Sequence, residues 1–339
     1  MAEVAALVDG LSSAPGAVAV VGSANADLTV RVAALPKPGE TIAGGPLVVL
    51  PGGKSANQAA TVARLGVGAS FIGAVGDDPN GEMLRDALVD AGVDVAHLSE
   101  SGEATGTAMI LVDDDAENCI VISPGANGTV DADLVAGHAD AIRGAEVLGL
   151  CLEVGDDAVV EAARIAHEAG VTVVFNLSPV REVPAQLLEL VDVLIVNEHE
   201  LAALVGDGAA AEGAESGDWS DAAAALAGKH GIRTTVVTLG GAGSVVVESG
   251  KAGQGAGAET AAVTATRIDP LPVDVVDTTG CGDSYMGSLL AGLASGLEIG
   301  NAARLAAAVS AYAAGGEGAQ ASYGTADQIR TFAETGRRG

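Results

Sequence analysis

The heptapeptide Asp277-Thr278-Thr279-Gly280-Cys281-Gly282-Asp283 places a carboxylate directly behind a glycine turn, and its flanks say where the turn sits. Residues 272–276 before it are apolar and β-branched, which predicts a buried strand of a parallel sheet. Residues 284–293 after it predict a packed helix. At such a junction the N–H groups of Gly280, Cys281 and Gly282 point toward one spot at a helix N-terminus, where unpaired donors and the helix dipole favour an anion. Asp283 stands in the first helical turn beside that spot. A carboxylate next to an anion hole can take a proton from a hydroxyl while the hole holds the phosphoryl group which that hydroxyl attacks. The competing reading is an Asp that only caps a helix, so the elements around the turn must decide.

Those elements repeat one pattern, a short apolar strand ending in a polar residue. Residues 17–21 predict a first buried strand, followed by Asn25 and Asp27; an amide and a carboxylate together suit the donors and acceptors of sugar hydroxyls. Strands over 147–152, 171–175 and 191–196 end at Glu153, Asn176 and Asn197. In open α/β sheets ligands bind outside the C-terminal ends of the strands, so this recurrence draws a site along one edge. A second glycine turn, Pro51-Gly52-Gly53-Lys54-Ser55-Ala56-Asn57-Gln58, opens a helix over 55–65 and leaves Gly53, Lys54 and Asn57 at its start. It is not a phosphate-binding P-loop, because Val48 stands where that motif needs glycine. A third, Thr238-Leu239-Gly240-Gly241-Ala242-Gly243, ends a strand beginning at Thr234.

The rhythm is interrupted by a predicted hairpin, strands over 105–112 and 118–123 around the acidic turn 113–117. Segments 206–218 and 251–259 read as loops, 301–314 as an alanine-rich helix, His199 as a surface residue and residues 1–16 as a disordered leader.

Composition excludes several classes. The 339 residues suffice for one large α/β unit, but aromatics are only 2%, so Ala, Val, Leu and Gly must build the core. The net charge of −29, from 45 acidic and 16 basic residues, opposes binding to nucleic acid or an anionic membrane. No apolar run reaches the ~18 residues of a spanning helix, and no basic-then-apolar signal opens the chain. Three scattered cysteines without metal-ligand spacing fit a reducing cytoplasm.

Taken together, these motifs resemble those of the ribokinase-like (PfkB) carbohydrate kinases, from about residue 18 to 322. The central turn resembles DTxGAGD, with Cys281 in place of alanine. The second turn resembles GGKGANQA, Thr238 to Gly243 resembles TLGxxG, Asn197 and Glu200 resemble N-x-x-E, and residues 317–322 resemble a K-G-A-Q-x-S loop. The resemblance implies a three-layer α/β sandwich around a mostly parallel sheet, spanning 17–335. It also implies a small β-sheet lid, from about 30–51 and 105–124, that covers the sugar and pairs two subunits in a homodimer. The sugar is expected at Asn25, Asp27, Gly53, Lys54, Asn57 and Glu153, with Asp283 as base and Gly280, Cys281 and Gly282 as anion hole. ATP is expected along Asn197, Glu200, Thr238, Gly240, Gly243 and Gly282, with Mg²⁺ bridging its phosphates. A monovalent cation, K⁺, is expected among Asp277, Thr279, Ala313, Gly316, Gly318 and Ser322. Ala307 stands where many relatives carry Asn or His near the adenine.

The scarcity of aromatics favours a free pentose, D-ribose phosphorylated at its 5-hydroxyl, over a nucleoside. A nucleoside or ribose-1-phosphate kinase, or a catalytically dead sugar sensor, are the alternatives on this scaffold. Cys281 reads either as a small replacement for alanine or as a thiol acidified by the helix N-terminus.

Overall fold

The computed structural model describes residues 2–11, 17–115, 117–250 and 262–338; the loop read over 251–259 lies outside them. The described residues form thirteen strands: β1 (Val18–Val21), β2 (Asn25–Arg31), β3 (Val48–Gly52), β4 (Ala69–Gly76), β5 (Leu98–Ser101), β6 (Thr107–Val112), β7 (Asn118–Ser123), β8 (Val147–Leu150), β9 (Thr172–Asn176), β10 (Val193–Asn197), β11 (Thr234–Thr238), β12 (Ser244–Ser249) and β13 (Val263–Ile268). Nine form one sheet in the order β13-β12-β11-β10-β9-β8-β1-β4-β5, in which only β12 runs antiparallel to the rest.

Successive side chains of a strand face opposite ways, so a sheet covered on both faces needs apolar residues at every position. The central strands meet that need. Val18, Val20, Phe71 and Val75 pack under one layer of helices, while Ala19, Val21, Ile72 and Ala74 pack under the other. The first layer includes the helices Lys54–Arg64, Cys281–Ala294, Ile299–Ala314 and Ala326–Thr335; the second includes Asp156–Ala169, Glu198–Val205 and Ser220–His230. The result is the expected three-layer sandwich. Among the described residues no helix is long and apolar enough to cross a membrane.

Chain order runs outward from β1 in both directions, through β4 and β5 on one side and β8 to β11 on the other. This reversal opens a crevice between the ends of β1 and β8, where a doubly wound sheet offers its ligand site. Over it lies the small separate sheet, β3-β2-β6-β7. The lid includes a strand that the sequence pattern does not mark: Asn25 to Arg31, beyond the first predicted strand, is β2, paired with β3 and β6. Asn25 and Asp27, two apart, therefore lie on the same face of the lid.

Three segments depart from the sequence reading. Residues 272–276 form no strand; Pro270 and Pro272 cannot donate to a ladder, and Val275 and Val276 are 64% and 58% exposed. The disordered leader is replaced, over Ala2–Asp9, by a helix whose Val4 and Val8, one turn apart, are buried, Val4 against Ala308 and Ala333. The loop at 206–218 holds a helix, Asp207–Ser216: its alanines favour helix, and Gly213 lies against the buried ring of Trp219.

The two helices that follow the glycine turns, Lys54–Arg64 and Cys281–Ala294, pack closely together because Gly287 has no side chain. A Cβ there would come 2.5 Å from the Gln58 carbonyl oxygen and 2.6 Å from Thr61 Cβ. Gly287→Ala should therefore push the helices apart, at a cost of about 1–3 kcal/mol. Chemical denaturation of the variant tests this, and an unchanged stability would show that the contact is loose.

Candidate active site

The close helix pair brings the two glycine-turn motifs together, although they lie more than two hundred residues apart. Asn57, in the first turn of its helix, donates from Nδ2 to Asp283 Oδ2 at 2.8 Å. Its Oδ1 accepts a hydrogen bond from Gln320 Nε2 at 3.0 Å, which fixes the amide with its NH₂ toward the carboxylate. Asp283 is 8% exposed. Burial raises its pKa, while the Lys54 ammonium and the Asn57 bond pull it back down. Lys54 is held above the usual range chiefly by the Asp283 charge, against the opposing effect of burial.

Glu153, just past β8, ties the crevice together. Its Oε2 accepts from the Ser23 hydroxyl at 2.5 Å and from the Lys54 backbone N–H at 3.0 Å. Across the crevice Asn127 holds Asn25: its Nδ2 donates to Asn25 Oδ1 at 2.8 Å and to the Ala24 carbonyl, while its Oδ1 accepts from Ala24 N–H. Asp27 is pressed against Gly52, where any Cβ would overlap its carboxylate. Burial, then the charges of Glu153 and Asp283, raise the Asp27 carboxyl to about 7, with Lys54 opposing. Three carboxylates thus share one cation, and the site favours a ligand that brings donors to them. A hollow of about 400 Å³ lies here between Asn25 and Glu153, roofed by Ile122 of the lid.

A second cleft, about 570 Å³, lies along the start of the helix Cys281–Ala294. Thr238, Gly240 and Gly243 lie at its rim, Pro270, Pro272 and Val275 form one wall, and Ala307 and Ala311 the other, with Gly282 at the inner end. The apolar walls suit a flat base; Ala307 offers it no polar side chain, and Ser310 is the polar residue of that wall. Asn197 and Glu200 are near the sheet edge but bond first to each other, in a reciprocal capping box at 2.8 Å each way. Burial raises the Glu200 carboxyl, and the Asn197 N–H opposes this. His199 is exposed, as expected.

The central turn differs in two details from the pattern expected of it. Gly280 adopts φ 74°, a left-handed conformation, and its carbonyl accepts from the Tyr323 hydroxyl at 3.0 Å. The Cys281 N–H, however, points back to the Thr278 carbonyl at 3.1 Å, so Gly282 carries the free first-turn donor more directly than Cys281 does. The Cys281 thiol is pushed up to about 11, mainly by burial, with Asp277 and Asp283 adding to the shift. Burial thus opposes any acidification of the thiol by the helix N-terminus. Asp277 accepts from Thr279 N–H and Oγ1 and from Gly318 N–H, which ties the turn to the segment carrying Gly316, Gly318 and Ser322. Gln320, Asn127 and Ser23 are positioning residues that the sequence reading did not single out. Gln320 stands inside a quoted motif, whereas nothing in the local sequence marks Asn127.

Known proteins resemble this chain along nearly its whole length. The family model described as pfkB family carbohydrate kinase matches residues 16–326. A ribokinase of Haemophilus influenzae is 34% identical over 318 residues, covering 93% of this chain and 97% of that protein. A ribokinase of Schizosaccharomyces pombe is 35% identical over 313 residues, covering 90% and 94%. The structure of Arabidopsis thaliana ribokinase complexed with ribose and ATP superposes with a TM-score of 0.80 at 30% identity, covering 93% of this chain and 98% of that one. The chain belongs to the pfkB family of carbohydrate kinases.

The crowding of carboxylates makes a prediction that needs no substrate. In the ligand-free protein the Asp27 carboxyl should titrate near pH 7, followed by carboxyl-carbon NMR. A midpoint near 4 would mean that the lid does not bury it.

Proposed function

We propose that the protein transfers the terminal phosphoryl group of ATP to the 5-hydroxyl of D-ribose. The observation that carries this is the Asp283 carboxylate, buried against Asn57 in the first turn of a helix whose Cys281, Gly282 and Tyr285 line the apolar cleft. The ribokinase relatives, and the Arabidopsis structure with ribose and ATP, support the choice of both substrates. A free pentose is favoured further because none of the described residues lining the hollow is aromatic.

In this reading ribose lies under the lid. Asn25, Asp27, Asn57 and Glu153 meet its hydroxyls, Lys54 offers the cation, and Gly53 lets the chain pass close by. The 5-hydroxyl faces Asp283, which takes its proton as the oxygen attacks the γ-phosphorus. A phosphorus–oxygen bond forms to ribose, the bond to the bridging oxygen breaks, and ADP leaves with the electron pair. Gly280 and Gly282 hold the transferring group at the helix N-terminus, where oriented donors stabilise developing charge without reorganising. Adenine lies between the proline and alanine walls, with Thr238, Gly240 and Gly243 along the sugar and phosphates. The same model includes a cytoplasmic homodimer, paired through the exposed Met109, Ile120, Val121 and Ile122 of the lid.

Mg²⁺ fits the donors present in one way. No cluster of three metal-ligating side chains exists among the described residues, and Glu200 already spends an oxygen on Asn197. An ion that keeps its waters and is held largely by substrate phosphates suits such a site, with Asn197 and Glu200 ordering those waters. Bound there, Mg²⁺ neutralises phosphate charge during transfer.

Asp283→Asn removes the proton acceptor and preserves size. It should lower kcat by about 10²–10⁴-fold while ribose affinity changes little. Turnover near wild type in a coupled ADP-release assay would remove Asp283 from the role of base.

A further inference from the structure

The helix Ala326–Thr335 ends at Gly336, whose φ of 68° turns the chain back toward the helix Ile299–Ala314. Arg338 then lies across the end of that helix. Its Nη1 donates to the carbonyl oxygens of Tyr312 at 2.7 Å and Ala313 at 3.4 Å, and its Nη2 donates to the Ser322 carbonyl at 3.0 Å. The guanidinium carbon stands 4.5 Å from the centroid of the Tyr312 ring. Last-turn carbonyls carry the negative end of a helix dipole, so oxygens from two segments converge here on one positive charge. Gly316 provides the space, since a Cβ at that position would overlap the guanidinium nitrogens.

This carbonyl cluster backs directly onto the glycine turn. The Val276 and Asp277 N–H groups donate to the Ala314 carbonyl, Gly318 N–H donates to Asp277, and the Tyr323 hydroxyl donates to Gly280. Whatever neutralises the carbonyls therefore also sets the shape of the turn. A free K⁺ was expected among Asp277, Thr279, Ala313, Gly316, Gly318 and Ser322, but two of those residues already give their carbonyls to Arg338 and a third yields the space for it. The residues present do not fit a free ion alongside this side chain.

We propose that Arg338 is a tethered cation that takes the place of a monovalent metal ion and keeps the 277–282 turn in its working shape. Arginine is charged at every working pH and presents several donors in a fixed plane, which matches carbonyls spread over two segments. Covalent attachment holds it at high local concentration whatever the salt composition of the medium. Arg338 touches no reacting atom and acts through the turn as a positioning residue. The proposal rests on the phosphoryl-transfer reading only for its kinetic consequence.

The test compares wild type with Arg338→Met in chlorides of K⁺, Na⁺ and tetramethylammonium at matched ionic strength. Wild type should turn over ribose at the same rate in all three. The variant should lose about 10- to 100-fold in kcat in tetramethylammonium, the scale of a misplaced catalytic group, and recover in K⁺. Its melting temperature, measured without substrates, should rise selectively with K⁺ while that of wild type does not. This second readout requires no catalysis, so it stands even if ribose is the wrong sugar. Selective K⁺ activation of wild type would overturn the proposal. So would a variant with unchanged kcat and no K⁺-dependent melting.

Discussion

The rest of the molecule depends on keeping one carboxylate charged inside a site that burial makes hostile to it. Asp283 loses the hydration of water on entering the crevice, and burial raises its pKa. Lys54 and the Asn57 amide offset that loss. Both belong to the same first helical turn, so a single close contact between two helices supplies the cation and the hydrogen bond together. Glu153 and Asp283 in turn raise the Asp27 pKa, and the same lysine lowers it. The site is consequently short of positive charge until donors arrive, and a polyhydroxyl ligand supplies them.

The fold follows from that requirement. The sheet reverses direction at β1 and opens its crevice between Ser23 and Glu153. Glycine turns then aim two helix N-termini at the crevice. Gly287 allows the helices to touch, Gln320 holds Asn57 in one orientation, and Asn127 holds Asn25. The acidic surface, with 45 acidic residues against 16 basic ones, leaves few cations in the chain, and two of them serve this centre: Lys54 in front of the turn and Arg338 behind it.

Much of this was legible in the sequence because glycine turns and apolar strands are local signals. The Gly52-Gly53 and Gly280-Cys281-Gly282 turns, the parallel strands and the two lid hairpin strands stand where the pattern put them. What escaped depends on partners far away in the chain. Residues 272–276 carry three valines and so resemble a strand, yet Asp274, the prolines and the antiparallel edge at β13 leave them outside the sheet. Asn25 and Asp27 look like turn residues and are the start of a strand, since only β3 and β6 reveal the pairing. The Ala2–Asp9 helix exists through its contact with the end of the chain's fold, and the Arg338 contact is likewise invisible to local periodicity. The Cys281 thiol shows the limit of reasoning from a motif: its position at a helix start suggested acidity, and its burial gives the opposite.

The balance between burial and Lys54 is the central claim, and the pH dependence of kcat/KM tests it directly. The Lys54 charge lowers the pKa of both Asp283 and Asp27, so removing it in Lys54→Met must raise them. The acidic limb of the profile, which reports these coupled carboxyls in the free enzyme, should move to higher pH in the variant. A limb that stays where wild type has it, whatever the loss in absolute rate, would mean that Lys54 does not keep the buried carboxylate ionised.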